Sequence, residues 1–198
     1  MTLKIGCTGG IACGKSEATA RFIHQGIPCL DTDKVAHEIM MPGTQVYDSV
    51  VARFGEDIVS ADGTLHRPSL GNIVFNDPEA LRDLNQLVHP HVRKRWLSWL
   101  EARKEPVAIV VIPLLVESGY QNEFDDILCI SSTEKRMVER LKDRGFSRSE
   151  ALQRIQSQLP LENKEKEATW VLTNNGTLEQ FTQKVDEWIT SVIPTENT

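Results

Sequence analysis

The chain has 198 residues, of which 40% are hydrophobic and 25% charged, and carries a formal net charge of −6. That length supports one good core with room for insertions, and the acidic balance excludes a general nucleic-acid binder while allowing a local basic pocket for a small anion. No apolar run approaches the ~18 residues needed to span a bilayer, which excludes a helical membrane protein.

Residues 3–8 read as a short buried strand and 15–25 as a helix with Ala18, Phe22 and Ile23 on one side. Between them Gly9, Gly10, Ile11, Ala12, Cys13, Gly14, Lys15 and Ser16 spell G-x-x-x-x-G-K-S. This is the spacing of a phosphate-binding loop. The glycines allow a tight turn whose amides converge on an anion, and the helix start behind it adds a favourable dipole. Lys15 brings positive charge to the β- and γ-phosphates, and Ser16 offers a hydroxyl to Mg²⁺.

The four cysteines, Cys7, Cys13, Cys29 and Cys129, form no C-x-x-C pair. They read as reduced residues of a soluble cytoplasmic protein, and no secretory signal precedes the first strand. Cys13 lies beside Lys15 and a helix start, neighbours that lower a thiol pKa. A small loop-filling residue without a redox role is the simpler reading, against which stands a thiol whose oxidation blocks nucleotide binding.

A second strand, Cys29-Leu30, ends in Asp31-Thr32-Asp33, and a helix follows over 34–40. Asp31 has the position of a helix cap. Asp33 falls inside the helix start, where capping and a role in orienting a hydroxyl or binding Mg²⁺ stand about even. Residues 45–54, 67–75 and 79–102 read as helices, the last with Leu81, Leu84, Val88, Val92, Trp96 and Trp99 on one stripe. Asp62-Gly63 marks a turn. Pro90, within His89-Pro90-His91, predicts a kink or a helix restart. Pro194–Thr198 reads as a frayed tail.

Residues 107–112 are continuously apolar and β-branched, as a central parallel strand buried on both faces requires. Further strands are expected at 127–130 and 169–172, and helices at 134–144, 148–158 and 177–192. No carboxylate directly ends the strand at 112, so Mg²⁺ rests on Ser16, phosphate oxygens, water and Asp33, with Glu117 either helping through water or simply at the surface. Arg136, Arg140 and Arg144 recur every four residues, and Arg148 and Arg154 continue the charge. They fit a lid that closes over ATP, or a solvated face laced with Glu134, Glu139, Asp143 and Glu150. The alternation of strands and helices gives an α/β fold whose ligands bind beyond the strand carboxyl ends.

Taken together, Thr8–Ser16, Asp31–Ala36, Asp62–Leu65, Arg67 with Leu70-Gly71 and 73–75, His89-Pro90, Pro113-Leu114-Leu115 with Glu117, and Asn174–Thr177 resemble the dephospho-CoA kinases. The likeness covers about 3–192. It implies a P-loop nucleoside-triphosphate-hydrolase-type three-layer core with a parallel five-stranded sheet. The core would take 1–40, 106–133 and 167–192, with a helical substrate-binding insertion over 41–105 and a helical lid over 134–166. It implies ATP-dependent phosphorylation of the ribose 3′-hydroxyl of dephospho-CoA, with Mg²⁺, in a monomer or weak oligomer that needs neither nucleic acid nor membrane. Asp33 matches the catalytic carboxylate and Arg140 a nucleotide-side arginine. Lys15 completes that catalytic group, with Arg144, Asn174 and the loop from Gly9 to Glu17 on the nucleotide. Arg67 and His89 fall in substrate-side motifs. This chain departs from the family in having Ala12-Cys13 where Gly-Ser is usual, and Glu17 where Thr is usual. Ala12 is tolerable at a negative φ, and Glu17 should point away from bound phosphates or weaken their binding.

Other readings predict other outcomes. A different P-loop small-molecule kinase would not need the 60–92 elements. A GTP switch needs D-x-x-G, which is missing, and N-K-x-D, whose nearest match, Asn163–Lys166, ends in the wrong charge. A nucleotide-binding module without catalysis would bind ATP and transfer nothing.

Overall fold

The computed structural model describes residues 2–193, so the expected tail at 194–198 lies outside the described residues. The chain forms two compact units, one from Asp31 to Ala102 and the other from the segments before and after it. The sequence boundary of 41–105 differs at its start. Helix α2 (Thr32–Ile39) belongs to the second unit because Ala36, Ile39 and Met40 pack with Val46, Val50, Ile58, Leu65, Leu70 and Val88.

The first unit is built on strands β1 (Leu3–Gly9), β2 (Cys29–Asp31), β3 (Val107–Val111), β4 (Asp126–Ser131) and β5 (Trp170–Thr173). Their order is β2-β3-β1-β4-β5, and β1 pairs in parallel with β3 and β4, as β4 does with β5. Every residue of β3 is buried, as its unbroken apolar run requires. Edge strand β5 is mostly exposed, and it runs one residue later than the sequence indicates.

Helices α1 (Lys15–His24) and α9 (Leu178–Val192) pack together through Phe22 and Trp188, whose ring centroids are 5.4 Å apart. Arg21 grips Asp186 with two parallel bonds of 2.5 and 2.7 Å. Helices α6 (Glu134–Asp143) and α7 (Arg148–Gln156) pack on each other, and α8 (Leu161–Lys166) packs on β1 and β4. The sequence reading contained no α8, and it ran α7 on to 158. The helix ends at Gln156 with Ser157 as its C-cap, and Pro160 follows three residues beyond.

In the second unit, α3 (Gln45–Phe54), α4 (Arg67–Asn76) and α5 (Pro78–Glu101) join α2 around their own core. Of the kink or restart expected at Pro90, the restart does not occur, and α5 runs unbroken through it. Proline removes the bond to the Gln86 carbonyl, but both residues are exposed, so water can satisfy that oxygen.

Candidate functional site

The segment between β1 and α1 forms a loop held from beneath. A Cβ on Gly9 would overlap the Ile130 carbonyl oxygen, and one on Gly14 would overlap Asn174 Nδ2. Both positions also take positive φ, so glycine is required at each on two grounds. Gly14 ends the loop as the N-cap of α1, and no side chain caps that helix. A helix start without a side-chain cap is a favourable place for an anion.

Ala12 corrects the sequence expectation. Its φ is +57°, making it the one non-glycine residue with positive φ among the described residues. Its methyl group is buried against Leu141 and Ala151, on α6 and α7. Packing on this side offsets a backbone conformation that favours glycine.

Lys15 Nζ donates to the carbonyls of Gly9 and Gly10, each at 2.9 Å. Ser16 and Glu17 are exposed on the first turn of α1. Cys13 is fully buried in the sheet core. Burial pushes its thiol pKa up, outweighing the lowering by Lys15, the Gly10 backbone, Arg140 and Lys164. Burial and the raised thiol pKa favour the loop-filling reading, and Cys13 fills the space below Gly10.

Arg140 and Asn174 brace the loop. Arg140 Nη1 donates to the Ala12 carbonyl at 3.0 Å, and Nη2 donates to the Asn174 carbonyl and Oδ1, each at 2.9 Å. Asn174 Nδ2 donates in turn to the Cys13 carbonyl at 2.9 Å. Both ends of its carboxamide are engaged beneath the loop. The other arginines diverge rather than forming one charged face. Arg136 donates to the Asn175 carbonyl and pairs with Glu139, Arg154 lies over the Phe146 ring, and Arg144 is exposed at the end of α6.

Sequence reasoning missed Lys164 and Gln158. The Lys164 side chain is 0% exposed, 2.7 Å from Glu117 Oε1 and 2.9 Å from the Pro113 carbonyl. Glu117 also accepts from the Leu159 amide at 3.2 Å. Its carboxylate is thus committed to a buried pair rather than lying loose at the surface. Gln158 Oε1 accepts from the Ile11 amide at 3.2 Å. Nothing in the letters separates these two residues from their polar neighbours.

In the second unit, Asp31 caps α2 by accepting from the Asp33 amide at 3.0 Å, the reading its position favoured. Asp33 is exposed on the first turn of that helix. Arg67 begins α4 and is exposed. His89 is half-buried in α5, and loss of hydration lowers its pKa.

Among the described residues no group of three His, Cys, Asp or Glu side chains forms a metal cage. Ser16 offers a hydroxyl oxygen and Asp33 a carboxylate, hard oxygen donors of the kind Mg²⁺ takes beside phosphate oxygens and water. No helix is long and apolar enough to cross a membrane, again among the described residues.

A family model described as dephospho-CoA kinase matches residues 3–180. The dephospho-CoA kinase of Lactobacillus johnsonii is 41% identical over 196 residues, covering 97% of this chain and 99% of the relative. A solved Thermus thermophilus protein superposes with a TM-score of 0.83 at 33% identity, covering 98% of this chain and 99% of its own. The solved dephospho-CoA kinase from Campylobacter jejuni gives 0.72 at 29% identity, with 98% of each chain covered.

Proposed function

Since the chain belongs to the dephospho-CoA kinase family, we propose that it moves the γ-phosphoryl group of ATP to the ribose 3′-hydroxyl of dephospho-CoA, giving coenzyme A and ADP. The observation that carries the ATP half of this reading is the braced loop with its uncapped helix. The amides of the loop and of the α1 start bind the triphosphate, and Lys15 balances charge at the β/γ bridge. Ser16, with Asp33, would hold Mg²⁺ alongside the phosphates. That ion, when bound, neutralises charge on the transferring group.

Asp33 is the proposed base. It follows directly on the carboxyl end of β2, where ligands of parallel sheets bind. It would orient the acceptor hydroxyl and take its proton. Arg140 and Asn174 act on the nucleotide through the loop, as positioning residues, because their polar ends are spent on loop and neighbouring carbonyls. Arg140 is thus the nucleotide-side arginine acting through the loop, and Arg144, exposed and outside that brace, is the further nucleotide-binding residue of the proposal. Arg67 and His89 serve the acceptor, with 41–105 as its binding region and 134–166 as the lid. His89, whose burial disfavours the charged ring, would contribute a hydrogen bond. Four free cysteines agree with a reducing, cytoplasmic setting.

The test is incubation with Mg-ATP and dephospho-CoA, followed by mass analysis of the acceptor. One added phosphoryl group is expected, and none on an acceptor that lacks the 3′-hydroxyl. Phosphorylation of both would place the reaction at another hydroxyl. Phosphorylation of neither would reject the function.

A further inference from the structure

The side chains of Lys15 and Gln158 meet consecutive residues of the loop. The Lys15 ammonium lies on the carbonyls of Gly9 and Gly10, at the amino-terminal side. In loops of this spacing that ammonium addresses the β- and γ-phosphates, so this side is the γ end. The next residue, Ile11, gives its amide to Gln158 Oε1. Because the partner is an N–H donor, the carboxamide must present its oxygen there, which fixes its orientation. Nε2 then points elsewhere, and among the described residues it donates to no protein group. Gln158, Gly10 and Ile11 line one cavity of about 650 Å³.

The carboxamide is not on a loose tether. Leu159, the next residue, donates its amide to Glu117. Lys164 is fixed to Glu117 and to the Pro113 carbonyl, and Glu165 accepts from the Ser131 hydroxyl. The strap from 158 to 165 is therefore pinned to the turn after β3 and to the end of β4, while its first residue touches the loop. A donor held this way costs little to reorganise as charge develops nearby.

We propose that Gln158 is a further catalytic residue, whose Nε2 donates to a γ-phosphoryl oxygen of ATP while Oε1 stays on the Ile11 amide. This rests on the loop being the ATP site of the family reaction. No bond to Gln158 forms or breaks. Its role is a neutral hydrogen bond that strengthens as negative charge shifts on the transferring group.

Two variants separate contact from bracing. Gln158→Glu keeps an oxygen for the Ile11 amide but replaces the donor with a carboxylate. Gln158→Met keeps the length and removes both functions. Turnover is measured for each, with affinity for a non-hydrolysable ATP analogue and for ADP, which lacks the γ-phosphate. The expected result is a kcat loss of at least ~10-fold in both, with analogue affinity down in Gln158→Glu and ADP affinity within ~2-fold of wild type. A Gln158→Glu enzyme with wild-type kcat would make the residue a brace only and overturn the proposal. So would ADP affinity falling in step with the analogue, because that marks a distorted loop. Failure of the family reading looks different, since the unmodified enzyme would then bind no ATP or transfer no phosphoryl group.

Discussion

Arg140 Nη1 lies 3.0 Å from the carbonyl oxygen of Ala12, whose φ of +57° is the left-handed conformation that side chains rarely adopt. The same residue is thus held through its oxygen by one helix and through its methyl by two. The loop is shaped before any nucleotide arrives, so less ordering is needed on binding.

Ala12→Gly tests that arrangement. Glycine relieves roughly 1–2 kcal/mol of backbone strain. It gives back about 0.4–1 kcal/mol through a freer unfolded chain, and about 0.8 kcal/mol through the lost buried methyl. The net change in stability is expected to stay within about 1 kcal/mol by denaturant titration. ATP affinity should fall several-fold, because the freed loop must be ordered on binding. A large stability gain would mean the methyl contact contributes nothing.

The Lys164–Glu117 pair predicts an asymmetry. Glu117 retains some exposure and a second donor, the Leu159 amide, and the Pro113 carbonyl also accepts from Thr8 Oγ1 at 3.1 Å. Lys164→Met therefore leaves few stranded groups. Glu117→Ala strands a fully buried ammonium and should cost about 3–5 kcal/mol, more than Lys164→Met. In the double variant most of that loss should return. Equal and additive losses in denaturant titrations would show the pair is not coupled.

Glu17 should act with opposite signs on folding and on binding. Its carboxylate favours the amino end of α1, by about 0.3–1 kcal/mol. The same charge repels a triphosphate held at that helix start. Glu17→Gln is expected to lower the melting temperature slightly and to tighten ATP binding several-fold at low salt, with the gain shrinking as salt rises. Unchanged affinity across salt concentrations would place the carboxylate out of range of the phosphates.

His89 gives a pH signature. Its folded pKa is below the unfolded value of about 6.5. Between the two values the unfolded chain binds more protons, so His89 makes stability fall as pH drops through that window. Melting temperatures from pH 7.5 to 5.5 should decline less steeply in His89→Gln than in wild type. Identical slopes would mean that His89 binds its proton equally in the folded and unfolded chains.

The phosphate loop was legible because its chemistry fixes residue types at fixed spacings, and β3 because a doubly buried strand needs an unbroken apolar run. The cap at Asp31 was legible for the same local reason. The φ of Ala12 was not, since letters record no dihedral angle and the pressure on it comes from α6 and α7. Lys164 was hidden because burial of one cation among charged neighbours depends on a partner 47 positions earlier in the chain, Glu117. Arg140 and Arg144 look alike by spacing, yet only contacts across the fold send one beneath the loop and leave the other in solvent.

On the proposed reading, the main-chain nest around residues 9–16, completed by Lys15, holds the triphosphate. Calorimetric titration with Mg-ATP, comparing wild type with Lys15→Ala, tests it most directly. Saturable one-site binding is expected for wild type, weakened at least ~100-fold by losing the ammonium at the β- and γ-phosphates. Equal affinity in the two proteins, or no heat from wild type at millimolar ATP, would contradict the account.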